Sequence, residues 1–125
     1  MPQCPAKRPI AFLVFATALA TAGLAMAAPT TSRGLISVDQ VAEMLEKAPT
    51  DRTAQQVLTA YLAGVGEAAS AVVTMGNAAC QKPLSLNAAN AGQALKGTAS
   101  DRGAETPATP LIVSDMLHRA GCRRP

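Results

Sequence analysis

Few side chains in this sequence can do covalent chemistry, and their scarcity constrains every functional reading. Beyond residue 27 there is one histidine, His118, one tyrosine, Tyr61, and two cysteines, Cys80 and Cys122, with no tryptophan or phenylalanine. His118 follows Asp115 by three residues, close enough on one helix face for the carboxylate to orient the imidazole. No serine or free cysteine is plainly placed as the nucleophile that such a pair would activate. No catalytic residue is therefore assigned, and the chain is read as a non-enzyme. Gly64-x-Gly66 falls inside a helical pattern and not after a strand, so it is not a dinucleotide fingerprint. There is no Walker loop, no carboxylate cluster suited to calcium and too few soft ligands for structural zinc. Neither a cofactor nor a metal is expected.

The role of the cysteines depends on the compartment, and the first residues speak to that. Residues 1–27 have the form of a cleaved secretory signal peptide. Lys7 and Arg8 precede an apolar run over 10–22, and Ala25 and Ala27 occupy the −3 and −1 positions of a small-x-small cleavage site. The run is shorter than the roughly 20 residues that span a bilayer. A retained anchor is the alternative reading; no stable membrane insertion is expected after processing. Residues 28–125 are then a single domain in the periplasm. Removing Lys7 and Arg8 leaves nine basic residues against eight acidic ones, so a formal charge of +3 falls to +1. The basic character is largely a targeting feature, and nucleic acid is not an expected partner. In an oxidising compartment Cys80 and Cys122 read as an intramolecular disulfide, with two free thiols as the alternative. The bridge would close a loop of about 43 residues, for which the chain-entropy model gives roughly 4 kcal/mol.

The elements that would position these residues read as helices throughout, an all-α bundle of about four with one disulfide. Ser37-Val38-Asp39-Gln40 has the form of a capping box. It opens a short amphipathic helix that buries Val38, Val41, Met44 and Leu45 and ends near Ala48-Pro49. Thr50 or Asp51 caps a second helix over about 52–74, with Val57, Leu58, Tyr61, Leu62, Val65, Ala69, Val72 and Val73 as its expected buried stripe. Ser85 or Asn87 caps a third helix over about 88–96, stopped by Gly97 and packing through Ala88, Ala91 and Leu95, with Leu84 and Leu86 ahead of it as further candidates. Thr106-Pro107 fits an N-cap followed by proline at the first helical position. The fourth helix runs from about Pro107 or Ala108 to Ala120, burying Leu111, Ile112 and Leu117 with Met116 at the margin, and Gly121 ends it.

What remains is recognition of another protein. Residues 98–106 form the most polar stretch and can present Ser100, Asp101, Arg102 and Glu105 together toward a complementary cleft. The other reading is a solvated connection. Gly64 and Gly66 each cost about 1 kcal/mol relative to alanine inside a helix. With Ala60, Ala63, Ala68, Ala69 and Ala71 they make a smooth surface that another helix can approach closely. A tolerated alanine- and glycine-rich composition is the simpler account. Glu67 reads as the solvated side of that helix, a hydrogen-bonded packing residue or a partner contact.

Three segments, taken in order, point to a family: Tyr61-Leu62-Ala63-Gly64-Val65-Gly66-Glu67-Ala68, Cys80-Gln81-Lys82-Pro83, and the run from Pro107-Ala108-Thr109-Pro110 to Gly121-Cys122. Over about 37–122 they resemble the Tai-type immunity proteins associated with type VI secretion of cell-wall amidases. Tyr61, Leu62, Gly64 and Glu67 match that family's helix element, and Cys80, Pro83 and Cys122 match its remaining marks. The chain has fewer aromatic residues than those proteins and lacks their additional early cysteine. The resemblance implies a small periplasmic helical protein, often a homodimer, that binds an amidase effector and occludes its cysteine–histidine active site through a loop joining two helices. It makes Tyr61, Gly64 and Glu67 helix-packing residues and residues 98–106 the inserted loop. The alternative is a periplasmic structural or chaperone-like helical protein without a single cognate enzyme.

Overall fold

The computed structural model describes residues 30–98 and 102–123. The expected signal peptide, Ser100, Asp101 and Arg124 lie outside them. Within the described residues the chain forms four helices: α1 (Val38–Lys47), α2 (Arg52–Met75), α3 (Ala88–Leu95) and α4 (Ala108–Ala120). α1 packs on α2 and α3 on α4, while α1–α3 and α2–α4 contacts close the bundle.

Side chains fix the helix starts by taking backbone N–H groups that have no partner within a helix's first turn. Ser37 Oγ accepts from Gln40 N at 3.1 Å. The reciprocal arm of a capping box is not made, because Gln40 Oε1 is buried without a hydrogen-bond partner. Asp51, not Thr50, caps α2, its Oδ1 accepting from Thr53 N at 2.7 Å and Ala54 N at 3.1 Å. Asn87, not Ser85, caps α3 through Asn90 N at 2.8 Å. α4 begins at Ala108, within the expected start, but Pro107 and not Thr106 stands at the cap position, and it makes no side-chain bond. The cause is tertiary. Pro107 pairs with Ser37 in an antiparallel bridge, with Val38 N donating to Thr106 O and Ala108 N donating to Ile36 O, each at 2.9 Å. That pairing holds Pro107 extended, and Thr106 Oγ1 donates instead to Arg102 O. α4 ends as expected. Gly121 adopts φ +64, its N–H donating to His118 O while Cys122 N donates to Leu117 O, the bond pair of a Schellman stop.

The core cluster joins Val38 and Val41 of α1, Leu58, Leu62 and Val65 of α2, Ala91 and Leu95 of α3, and Ala108 and Ile112 of α4. Two expectations need correction. Val57 and Val72 are 51% and 64% exposed, although both belong to the expected stripe. α2 is about 36 Å long against about 20 Å for α4, so its last turns outrun the bundle, and Met75 is 86% exposed there. Met116, expected at the margin, is 1% exposed, while Leu117 is only half-buried.

Cys80 and Cys122 are joined, S–S 2.06 Å, tying the exit of α2 to the end of α4. Next to them Ala79 and Arg123 exchange both backbone bonds, at 3.2 and 2.8 Å. The cysteines therefore occupy the following non-hydrogen-bonded pair, where facing Cα atoms come close; theirs are 3.9 Å apart.

Candidate functional site

The described part of the 98–106 stretch is lashed to the body. Arg102 O accepts from Glu105 N, Thr106 N and Thr106 Oγ1, which folds the chain into a tight turn with the Arg102 residue exposed. Gly103 is buried against the first turn of α1. Its carbonyl accepts from Asp39 N at 3.3 Å, and a Cβ there would fall 1.9 Å from Asp39 Oδ1. Glu105 is exposed in the same turn as Arg102 and is tied to the segment ahead of α1. Its Oε2 accepts from Ser32 N at 3.1 Å and Ser32 Oγ at 2.8 Å, and these bonds hold the carboxyl below the ordinary carboxylate range. Glu105 thus fastens the segment ahead of α1, where Thr31 is buried and its Oγ1 accepts from Leu35 N.

Tyr61 is half-buried, with its hydroxyl 2.9 Å from Thr109 Oγ1, linking α2 to α4. Burial pushes its phenol up, and the Thr109 hydrogen bond pulls the other way. Among the described residues no helix closes on Gly64, since a Cβ there would meet nothing within 4 Å. The smooth face around it is open, with Ala60, Ala68 and Ala71 exposed beside it. Asp115 takes Arg119, whose Nε donates at 2.7 Å while its NH2 group donates to Ser85 O at 3.1 Å; His118 is exposed in the last turn of α4. Among the described residues no group of three or more His, Cys, Asp or Glu is placed to hold a metal ion.

A groove of about 930 Å³, which the sequence did not announce, opens along α2. Its long wall is one face of α2, running from Gln55 to Ser70 past Leu58, Leu62, Ala63 and Gly66. Leu45, Ala48 and Pro49 from the end of α1 form one shorter wall, Leu84, Leu86 and Ala88 another, and Met116 of α4 lies beneath. Polar groups stand at Gln55, Thr59, Ser70 and Asn87, and Glu67 is the sole ionisable side chain in the lining. At 3.6 residues per turn this face lies beside the core face of α2, while Val57, Gly64, Ala68 and Met75 occupy the opposite side. By length and composition alone α2 could cross a membrane, but Leu58, Leu62, Val65 and Ala69 are buried in the bundle and Glu67 lies mid-helix.

Compared with known proteins, the chain matches no family model, no curated sequence and no solved structure.

Proposed function

We propose that this chain is a periplasmic immunity protein that binds and inhibits a peptidoglycan amidase effector of a type VI secretion system by covering its active site. The observation that carries the binding half of this reading is the apolar groove, open on a body stapled by the Cys80–Cys122 bridge. A concave apolar surface rimmed by a few polar groups is what a partner needs for affinity and orientation, and a braced frame loses little entropy on binding. The inhibitory half is supported by the resemblance carried by Tyr61, Leu62, Gly64, Glu67, Cys80, Pro83 and Cys122. The test is co-purification with a cell-wall amidase followed by a peptidoglycan hydrolysis assay. Stoichiometric loss of hydrolysis is expected; unchanged hydrolysis in excess protein refutes the reading.

A periplasmic structural or chaperone-like role is the second reading. The exposed apolar side chains Val57, Val72 and Met75 favour it, because a flat apolar face accepts many clients. Equal binding to several unrelated unfolded proteins, with no amidase preferred, would select this role.

A further inference from the structure

We propose that the groove along α2 seats one amphipathic α-helix of the partner protein, with a lysine or arginine in a terminal turn placed over Glu67. This rests on the protein-binding reading above and names the surface and the chemistry of what it takes. Gln55 and Ser70, at the two ends of the long wall, are fifteen residues apart on one helix, which makes the wall about 22 Å long. That is about four turns of a helix laid alongside. The occupant's backbone must be self-sufficient. The long wall is a helix whose amide groups are already bonded internally, and only Ala48, Pro49 and the short stretch at Leu84, Leu86 and Asn87 lie outside helices. Along the long wall an extended peptide would therefore press unmet N–H and C=O groups against leucines. A helix satisfies its own backbone and offers apolar anchors at i, i+3, i+4 and i+7. The long wall also admits close approach, since Ala63 is small and a Cβ at Gly66 would meet nothing within 4 Å.

Charge sets the direction. Glu67 is the one ionisable group of the lining, and it lies about 18 Å along the wall from Gln55, near the Ser70 end. A cation in the occupant's turn at that end is attracted, and an acidic residue there is repelled. Reversing the helix moves the cation to the Gln55 end, where the lining holds no carboxylate and Asp51, one turn before Gln55, already accepts from Thr53 N and Ala54 N. Glu67 thereby selects orientation as well as composition.

The test uses the chain produced with its leader and recovered from the periplasm. It is panned against displayed 16-residue peptides, one pool helix-compatible and the other held extended by regularly spaced prolines. Enrichment is expected only in the helical pool, with apolar residues at helical spacing and Lys or Arg in a terminal turn. A synthetic copy of the leading peptide, followed by fluorescence anisotropy, should bind Ala63→Trp, which fills the groove from an exposed position, at least tenfold more weakly than the parent. It should bind Glu67→Lys about fivefold more weakly, the worth of one exposed charge pair, and exchange of its cation for glutamate should restore the affinity. The proposal is overturned by enrichment of extended or acidic peptides. Leading peptides that bind Ala63→Trp as tightly as the parent overturn it too, as does filling of the groove by dodecanoate or a second copy of this chain with no helix selected. The amidase assay separates the two readings. Inhibition undiminished in Ala63→Trp would leave the immunity role standing and remove the groove from it. Peptide selection as expected, with no amidase inhibited, would do the reverse.

Discussion

Replacing Cys80 and Cys122 together with alanine should lower the free energy of unfolding by about 3–4 kcal/mol while leaving the helices formed. The two positions are 42 residues apart in sequence, and the loop between them holds α3, α4 and the groove wall at Leu84 and Leu86. Closing a loop of that size removes about 13 cal/mol/K from the unfolded chain, or about 4 kcal/mol at 25 °C. Net stability for a domain of this size is about 5–15 kcal/mol, so the bridge carries a large share. The folded state should hardly notice its loss locally. The Ala79–Arg123 pair and the bonds from Gln81 N and Lys82 N to Ala120 O still bring the two strands together. Urea titration followed by circular dichroism at 222 nm is the assay. Three results are expected together: an unchanged helical signal before the transition, a lower midpoint, and a steeper slope because the uncrosslinked unfolded chain exposes more surface. In a thermal scan the loss corresponds to a fall of about 15–30 °C. A loss below about 1 kcal/mol, or one accompanied by a weaker native helical signal, would refute the argument that the bridge acts on the unfolded chain.

Three further outcomes follow from single groups. Asp51→Ala removes an acceptor that serves two backbone amides and should destabilise the chain by about 1 kcal/mol, with faster hydrogen exchange at Thr53 and Ala54; Thr50→Ala should be nearly neutral. Ile112→Ala empties a fully buried core position and should cost about 3 kcal/mol in urea titration, well above Leu117→Ala on the same helix. Glu105 is more acidic folded than its usual 4.5, so its contribution is present above that value and is lost as pH falls through the lowered folded value. Carbon-detected titration should place its midpoint below that of an unstructured glutamate, with the Ser32 amide shifting in step; Glu105→Gln should abolish that shared step.

Local chemistry made most of the helices legible. Ser37, Asp51 and Asn87 cap through bonds to N–H groups two or three residues ahead, and the glycine stop at Gly121 is equally local, so a sequence window contains the whole cause. The pairing of Cys80 with Cys122 needed only their number and compartment. What depends on distant partners was not legible. Thr106 does not cap α4 because Pro107 pairs with Ser37, 70 positions away in the chain. The bonds that Ser32 makes to Glu105 are not legible, because nothing near Glu105 in sequence hints at a residue 73 positions off. Val57 and Val72 were read as core because a helix apolar on most sides has no single stripe; which side is covered depends on how short the neighbouring helices are. Glu67 stands out as a lone acid, but the leucines of the groove it lines come from three separate segments.

α2 therefore carries three faces, and the two open ones are unequal. The outer face offers Val57, Val72 and Met75 on a bed of Ala60, Gly64 and Ala68, flat and poor in area per residue. Apolar burial is worth roughly 25 cal/mol per Å², so alanine and glycine contribute little on that face. Its three larger side chains are spread over eighteen residues and cannot be covered by one compact partner group. Small residues also keep that face from becoming a large continuous apolar patch of the kind that drives association. The groove inverts these properties. Its apolar groups converge from α1, α2 and the segment before α3, so one occupant covers them at once, and its leucines are already partly ordered by packing against the core cluster. Ordering an exposed side chain opposes binding, and here much of that entropy has been given up in folding. A chain with a thin core and one long helix thus gathers its most readily covered apolar surface on the side of α2 that adjoins the core.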